Sequence, residues 1–225
     1  MKLTQDQIAE IRRFIHSRGF KHIEVEMEIM DHVASAIEDK LAVNPNLSME
    51  KALHEVHSSF GVFGFATIEE EKQKYFQGLI IKQFWKEVKQ YFLGNKIWIT
   101  VFVMTTLSSI FILLSPSDSF LRLFPFALST TLVITVYSIN YYKFKKWKAK
   151  SLMLYASTFP LIVLQPNIGN FIGFLSEEIN ASNYIWMTMI YMALNLLMII
   201  FILSAKSTCD WGFNWTNERY LKYVD

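Results

Sequence analysis

The stretch "EVEMEIMDH" sets Glu24, Glu26, Glu28 and Asp31 beside His32 within nine residues. On a helix, residues three and four apart lie one turn above another, so Glu28, Asp31 and His32 come close together. Such a group could ligate a metal ion or exchange protons. A carboxylate-bridged metal centre uses Glu-x-x-His at i, i+3, with further copies on partner helices. Here Glu28 and His32 are i, i+4, the i, i+3 partner of Glu28 is Asp31, and no second copy follows. His54 and His57 are three apart and could add nitrogens, but the set does not meet the usual ligand rules. No glycine-rich loop or paired nucleophile accompanies His32 for acid/base work. The reading is therefore of a chain that is not an enzyme, with no catalytic residue, no metal and no cofactor. Glu28, Asp31, His32, His54 and His57 are its candidate interaction residues. Val25, Ile29, Val33, Ala36 and Ile37 make the apolar face of the same helix. Glu24, Glu28, Asp31 and Glu38 are expected in solvent opposite it, and His32 on the flank, hydrogen-bonded at a helix–helix contact.

Short helices must carry these residues. Thr4 with Gln7 reads as a capping box opening the first helix, and Gly19 as its C-terminal stop. The second ends before Asn44, which precedes a proline. The third starts at Ser48 and closes at Gly61. In "FGVFGF", Phe60 to Phe65, the rings are expected to plug the core. A fourth helix starts near Thr67. Its later part, "LIIKQFWKEVKQYF", alternates apolar and basic residues in helical rhythm, as an amphipathic juxtamembrane helix does. Gly94 is placed as a hinge after it.

The 225 residues divide by character. Hydrophobic residues make up 52% and the mean hydropathy is +0.23. Met1 to Asn95 has a net charge of −2 and all five histidines, whereas Lys96 to Asp225 has a net charge of +4. That balance lacks the basic face of a nucleic-acid binder, so no nucleic acid is expected. The single Cys209 excludes an intramolecular disulfide. The opening "MKLTQDQIAE" has no apolar core of a signal peptide. After Lys96 come four apolar runs: Ile97 to Leu114, Leu121 to Tyr142, Ser151 to Leu175 with Pro160 and Pro166 inside it, and Tyr184 to Ser204. Each approaches the roughly 20 residues that cross a bilayer core. The link Lys143 to Lys150 holds five lysines and no acid, and the other two links hold no base. Positive loops stay inside, which sets both termini in the cytoplasm. The fold class expected is all-α: a small cytoplasmic helical module, residues 1–78, then a juxtamembrane helix, 79–95, a four-helix transmembrane bundle, 96–206, and a cytoplasmic tail, 207–225.

The order of "EVEMEIMDHVASAIED", then "LSMEKALHEVHSSFG", then an acidic helix start resembles the HTH-associated α-helical signalling domain that accompanies PadR-type repressors. The resemblance covers Thr4 to Glu71. It departs in the "NPNLS" turn and the aromatic connector, and the membrane part carries none of it. It implies protein–protein signalling with no catalytic residues, and a PadR-like regulator as cytoplasmic partner, at the inner membrane of a bacterium. The other expected contacts are the lipid bilayer and a second copy of the chain in a homo-oligomer. The function expected is that of a membrane-anchored regulatory or interaction protein. The alternative is a small transporter or channel subunit using the kinked third span and Asn195. It is weakened because the spans hold no acid, lysine or histidine in their interiors.

Overall fold

The structure is a computed structural model and describes residues 2–114, 118–148, 150–158, 160 and 184–220. Secondary structure among them is helical: α1 Gln5–Ser17, α2 Ile23–Val43, α3 Met49–Ser59, α4 Ala66–Leu93, α5 Ile97–Leu114, α6 Asp118–Lys148, α7 Leu152–Ser157 and α8 Tyr184–Arg219. The all-α expectation holds.

The chain divides into two compact units. One comprises Met1–Gly78, Lys146–Ala156 and Trp215–Asp225, and the other Leu79–Lys145 and Ser157–Asn214. In the first, the Thr4 hydroxyl accepts from the Gln7 amide at 3.3 Å while the Gln7 side chain accepts from the Thr4 amide at 2.8 Å. Two amides at the helix start that lack intrahelical partners are thereby satisfied. Gly19, φ 95°, turns the chain out of α1 where a side chain would be strained. Ile11 and Ile15 of α1, Val25, Ile29, Val33 and Ile37 of α2, and Ala52, Leu53 and Val56 of α3 are buried. Each large aliphatic chain so buried contributes about 1.5–3 kcal/mol. The connector is split rather than wholly inside. Phe65 is buried and meets Phe14, Phe20, Phe60 and His57 edge-on, while Val62 and Phe63 are 99% and 76% exposed. Gly61 and Gly64, both at positive φ, close the turn between them with a Gly64 N–H to Gly61 C=O bond of 3.2 Å. That turn lifts residues 62 and 63 off the core.

In the second unit the buried face of α4 is Ile80, Phe84, Val88 and Tyr91, with Phe84 and Trp85 edge-on to Phe201 of α8. α4 does not run on into α5. It ends at Leu93, and the Lys96 amide returns to the Gln90 carbonyl at 3.1 Å. A Cβ on Gly94 would lie 2.8 Å from Gln90 Cα, so only glycine fits this turn. α7 and α8 approach closely at Gly212, where a Cβ would come within 2.9 Å of Ser157 Cβ, and Cys209 Sγ donates to the Ser157 carbonyl at 2.9 Å.

The first expected span coincides with α5, the second lies within α6 and the fourth within α8. Most of the third, with Pro166, lies outside the described residues. By length and composition one stretch among the described residues, Met192–Arg219, is long and apolar enough to cross a membrane, and half of its most apolar 18 residues are buried within the protein. The apolar stretch Ile97–Ser109 is shorter.

Candidate functional site

The acidic start of α2 does three separate jobs. Glu24 was expected in solvent, but it is 1% exposed. Its carboxylate accepts from the Ser151 hydroxyl, from the Leu152 amide at 3.0 Å and from the Met153 amide at 3.4 Å. Those amides open α7, whose own cap is Ser151, accepting from the Leu154 amide at 3.1 Å. Immediately before Glu24, the Ile23 amide donates to the Lys150 carbonyl at 2.8 Å. Thr216 of the C-terminal segment brings its hydroxyl to 3.5 Å from that of Ser151. The carboxylate is thus a buried charge fully occupied by donors, the condition under which burial is tolerable. Glu26, also buried, holds Arg12, and His16 Nε2 at 2.8 Å, which ties α1 to α2. The helical pattern misplaced Glu24 because it described α2 against one neighbour. The segment 146–156 covers its other side at the N-terminal end.

Glu28 lies one turn further on. Its carboxylate pairs with Lys72 Nζ at 2.8 Å, and His32 Nε2 stands 3.8 Å away, beyond hydrogen-bond length. His32 does not bond at a helix–helix contact as expected; its side chain is 56% exposed. Both residues line a cleft of about 460 Å³ in the first unit, between α2, the start of α4 and the end of α8. Opposite them are Glu71, Tyr75, Trp215, Arg219 and Tyr220. Phe76 packs edge-on against Trp215, and the Arg219 guanidinium sits 4.5 Å above the Trp215 ring. Burial raises the Tyr220 phenol above its ordinary pKa, opposed by Lys72 and reinforced by Glu24 and Glu28. The phenol is accordingly a neutral hydrogen-bonding group at neutral pH. The cleft offers aromatic faces and charges of both signs, a surface for recognition. Glu28 is engaged there by Lys72.

The other candidates lie apart from it. Asp31 is exposed. His54 and His57 meet Phe14 edge-on, at 5.9 and 5.4 Å between ring centres, and His57 meets Phe65 at 5.1 Å. Among the described residues no three His, Cys, Asp or Glu side chains are grouped so as to hold a metal ion. Lys72, Tyr75, Trp215, Arg219 and Tyr220 escaped the sequence reading. The only signal was the density of rings in "DWGFNWTNERY", which says nothing of where that segment packs.

No protein-family profile matches the chain, and neither a curated protein nor a solved structure matches it significantly.

Two measurements test this geometry. Glu24→Ala leaves the Ser151 hydroxyl and two amides without their acceptor. Each such buried group costs roughly 1–3 kcal/mol, and the expected loss is about 3 kcal/mol. Hydrogen exchange of the full chain should show the amides of residues 152–154 deprotected by orders of magnitude, while α3 keeps its protection. Unchanged protection would show that Glu24 does not hold α7. The second concerns His57, whose pKa lies below the ordinary histidine value because of burial first, then the charges of Arg18 and His54. Protonation therefore disfavours the folded state, and stability from this group falls as pH drops below about 6.5. Arg18→Gln should raise the His57 pKa, read from its imidazole resonances by NMR. An unmoved titration would remove Arg18 as a cause.

Proposed function

We propose that the chain is a multi-pass membrane protein whose regulatory, non-catalytic interaction domain lies in the cytoplasm. One observation carries the reading. Residues 1–78, the end of the lysine-rich link and the tail from 215, which the lysine distribution assigns to the same side, make up one unit with residues 151–156 at the start of the third expected span, joined through Glu24, Ser151 and Thr216. A four-span topology delivers these three segments, and no loop from the opposite side, to one compartment. The outer surface of α5 supports it further. Ile97, Trp98, Val101 and Phe102 are exposed on a helix with no charge, which suits contact with lipid. The regulatory part rests on the cleft at Glu28 and His32 and on exposed Val62 and Phe63, an apolar tip suited to a protein partner. The resemblance to the PadR-associated signalling domain nominates a regulator of that type as the partner.

Reporter fusions test the topology. Those after Ser117 and Ser182 should read as outside and one after Lys148 as inside; an outside reading at Lys148 sinks the assignment. A photo-crosslinking residue at Phe63 or His32 tests the regulatory part in cells. It should trap one cytoplasmic protein, and a lack of any crosslink from both positions would leave only an anchor.

A second reading, the transporter or channel subunit, has one observation in its favour. Asn140 of α6 is 3% exposed, and neither of its amide atoms has a hydrogen-bond partner among the described residues. A buried amide left so is expensive, and a polar guest would offset the cost. Flux of small solutes from proteoliposomes that is lost in Asn140→Leu would favour this reading. Equal leakage with and without the protein would remove it.

A further inference from the structure

We propose that the outward ridge of α4 in the second unit is a binding surface for anionic phospholipid headgroups. This rests on the membrane reading above and adds to it a chemical preference for the charge of the lipid. Around α4 beyond Gly78 the faces differ. The inner stripe of Ile80, Phe84, Val88 and Tyr91 is buried. Going round the helix, one flank carries Ile81, Trp85 and Phe92, which are 54%, 49% and 39% exposed. The ridge opposite the buried stripe carries Lys82, Lys86 and Lys89, all exposed, one turn apart along the helix. The remaining flank is polar, with Gln83, Glu87 and Gln90.

Charge decides the occupant. Glu87 is the one acid between residues 79 and 93, and its carboxylate is already engaged by Lys96 at 2.7 Å and Gln83 at 2.9 Å. Lys82, Lys86 and Lys89 form no ion pair among the described residues, so three positive charges point outward unopposed. A protein with an acidic patch would match the lysines alone. A lipid surface also matches the flank beside them, because indole and apolar side chains sit at the hydrocarbon boundary while lysine stems reach to the phosphates. That flank leads through the Gly94 turn to the exposed apolar surface of α5. The polar flank, with its internally neutralised acid, faces the other way. The arrangement orients the helix as well as binding it.

The experiment uses the full chain, with Cys209→Ser and Leu93→Cys, in phosphatidylcholine vesicles. Leu93 is 90% exposed at the end of the ridge and takes a bimane label. Quenching is measured with phosphatidylglycerol or phosphatidylcholine carrying a headgroup nitroxide. Each lysine at a charged lipid surface is worth about five-fold in association. Phosphatidylglycerol should therefore quench at least about five-fold more effectively. The preference should collapse in about 1 M salt, where screening acts over roughly 3 Å. It should fall to parity when Lys82, Lys86 and Lys89 are all glutamine, and persist when all three are arginine, with helix content unchanged by circular dichroism. Equal quenching in the parent chain, or a preference that the glutamine variant keeps, overturns the proposal. So does a disulfide-linked dimer through Leu93→Cys, which would set a second copy on this face. A chain that washes off the vesicles in alkaline carbonate overturns the membrane reading itself. Retention without a lipid preference overturns only the headgroup site.

Discussion

A carboxylate without water must be met by donors, and Glu24 meets this demand with backbone from another part of the chain. Its two oxygens take the Ser151 hydroxyl and the first amides of α7. Neither side is self-sufficient. Without Glu24, the start of a six-residue helix would bury unpaired amides; without residues 151–153, α2 would begin with a buried, unpaired charge. The first unit is therefore composite by electrostatic necessity, and residues 1–78 by themselves lack part of what satisfies them. Thr216 beside Ser151, and Trp215 against Phe76, bring the C-terminal segment into the same arrangement.

Neighbouring acids on one helix thus acquire unlike roles from their surroundings. Glu24 fastens the link to α2, Glu26 fastens α1, and Glu28 lies at the wall of an open cleft with Lys72. Breaking either of the first two is costly because it leaves a buried carboxylate without its donors, although Arg12 and His16 themselves are about half exposed. The Glu28–Lys72 pair is partly in solvent, where ion pairs contribute little to stability and exchange partners readily. A cleft built this way suits recognition, since an incoming charged group can replace an existing partner at small cost. In the proposed topology this cleft involves the segment that leaves the last span, so an occupant would touch the N-terminal module and the tail together.

The sequence by itself determined α1 to α3, the caps at Thr4 and Ser48 and the aliphatic stripe of α2, because these depend on residues within one or two turns. The Thr4–Gln7 box, the stop at Gly19 and the end of α2 before Asn44 follow from short-range geometry. What only the tertiary structure decided is which surfaces meet. A stripe pattern measures burial against one neighbour, and α2 has a second at its N-terminal end, so Glu24 reads as solvated when it is buried. The same limit hid Trp215, Arg219 and Tyr220, which lie far from Glu28 in the chain and reach its cleft only through long-range packing. His32, His54 and His57 looked alike as imidazoles. Packing separated them, the first into an open cleft and the other two against Phe14, because a side chain's chemistry is set by its neighbours in space rather than in sequence.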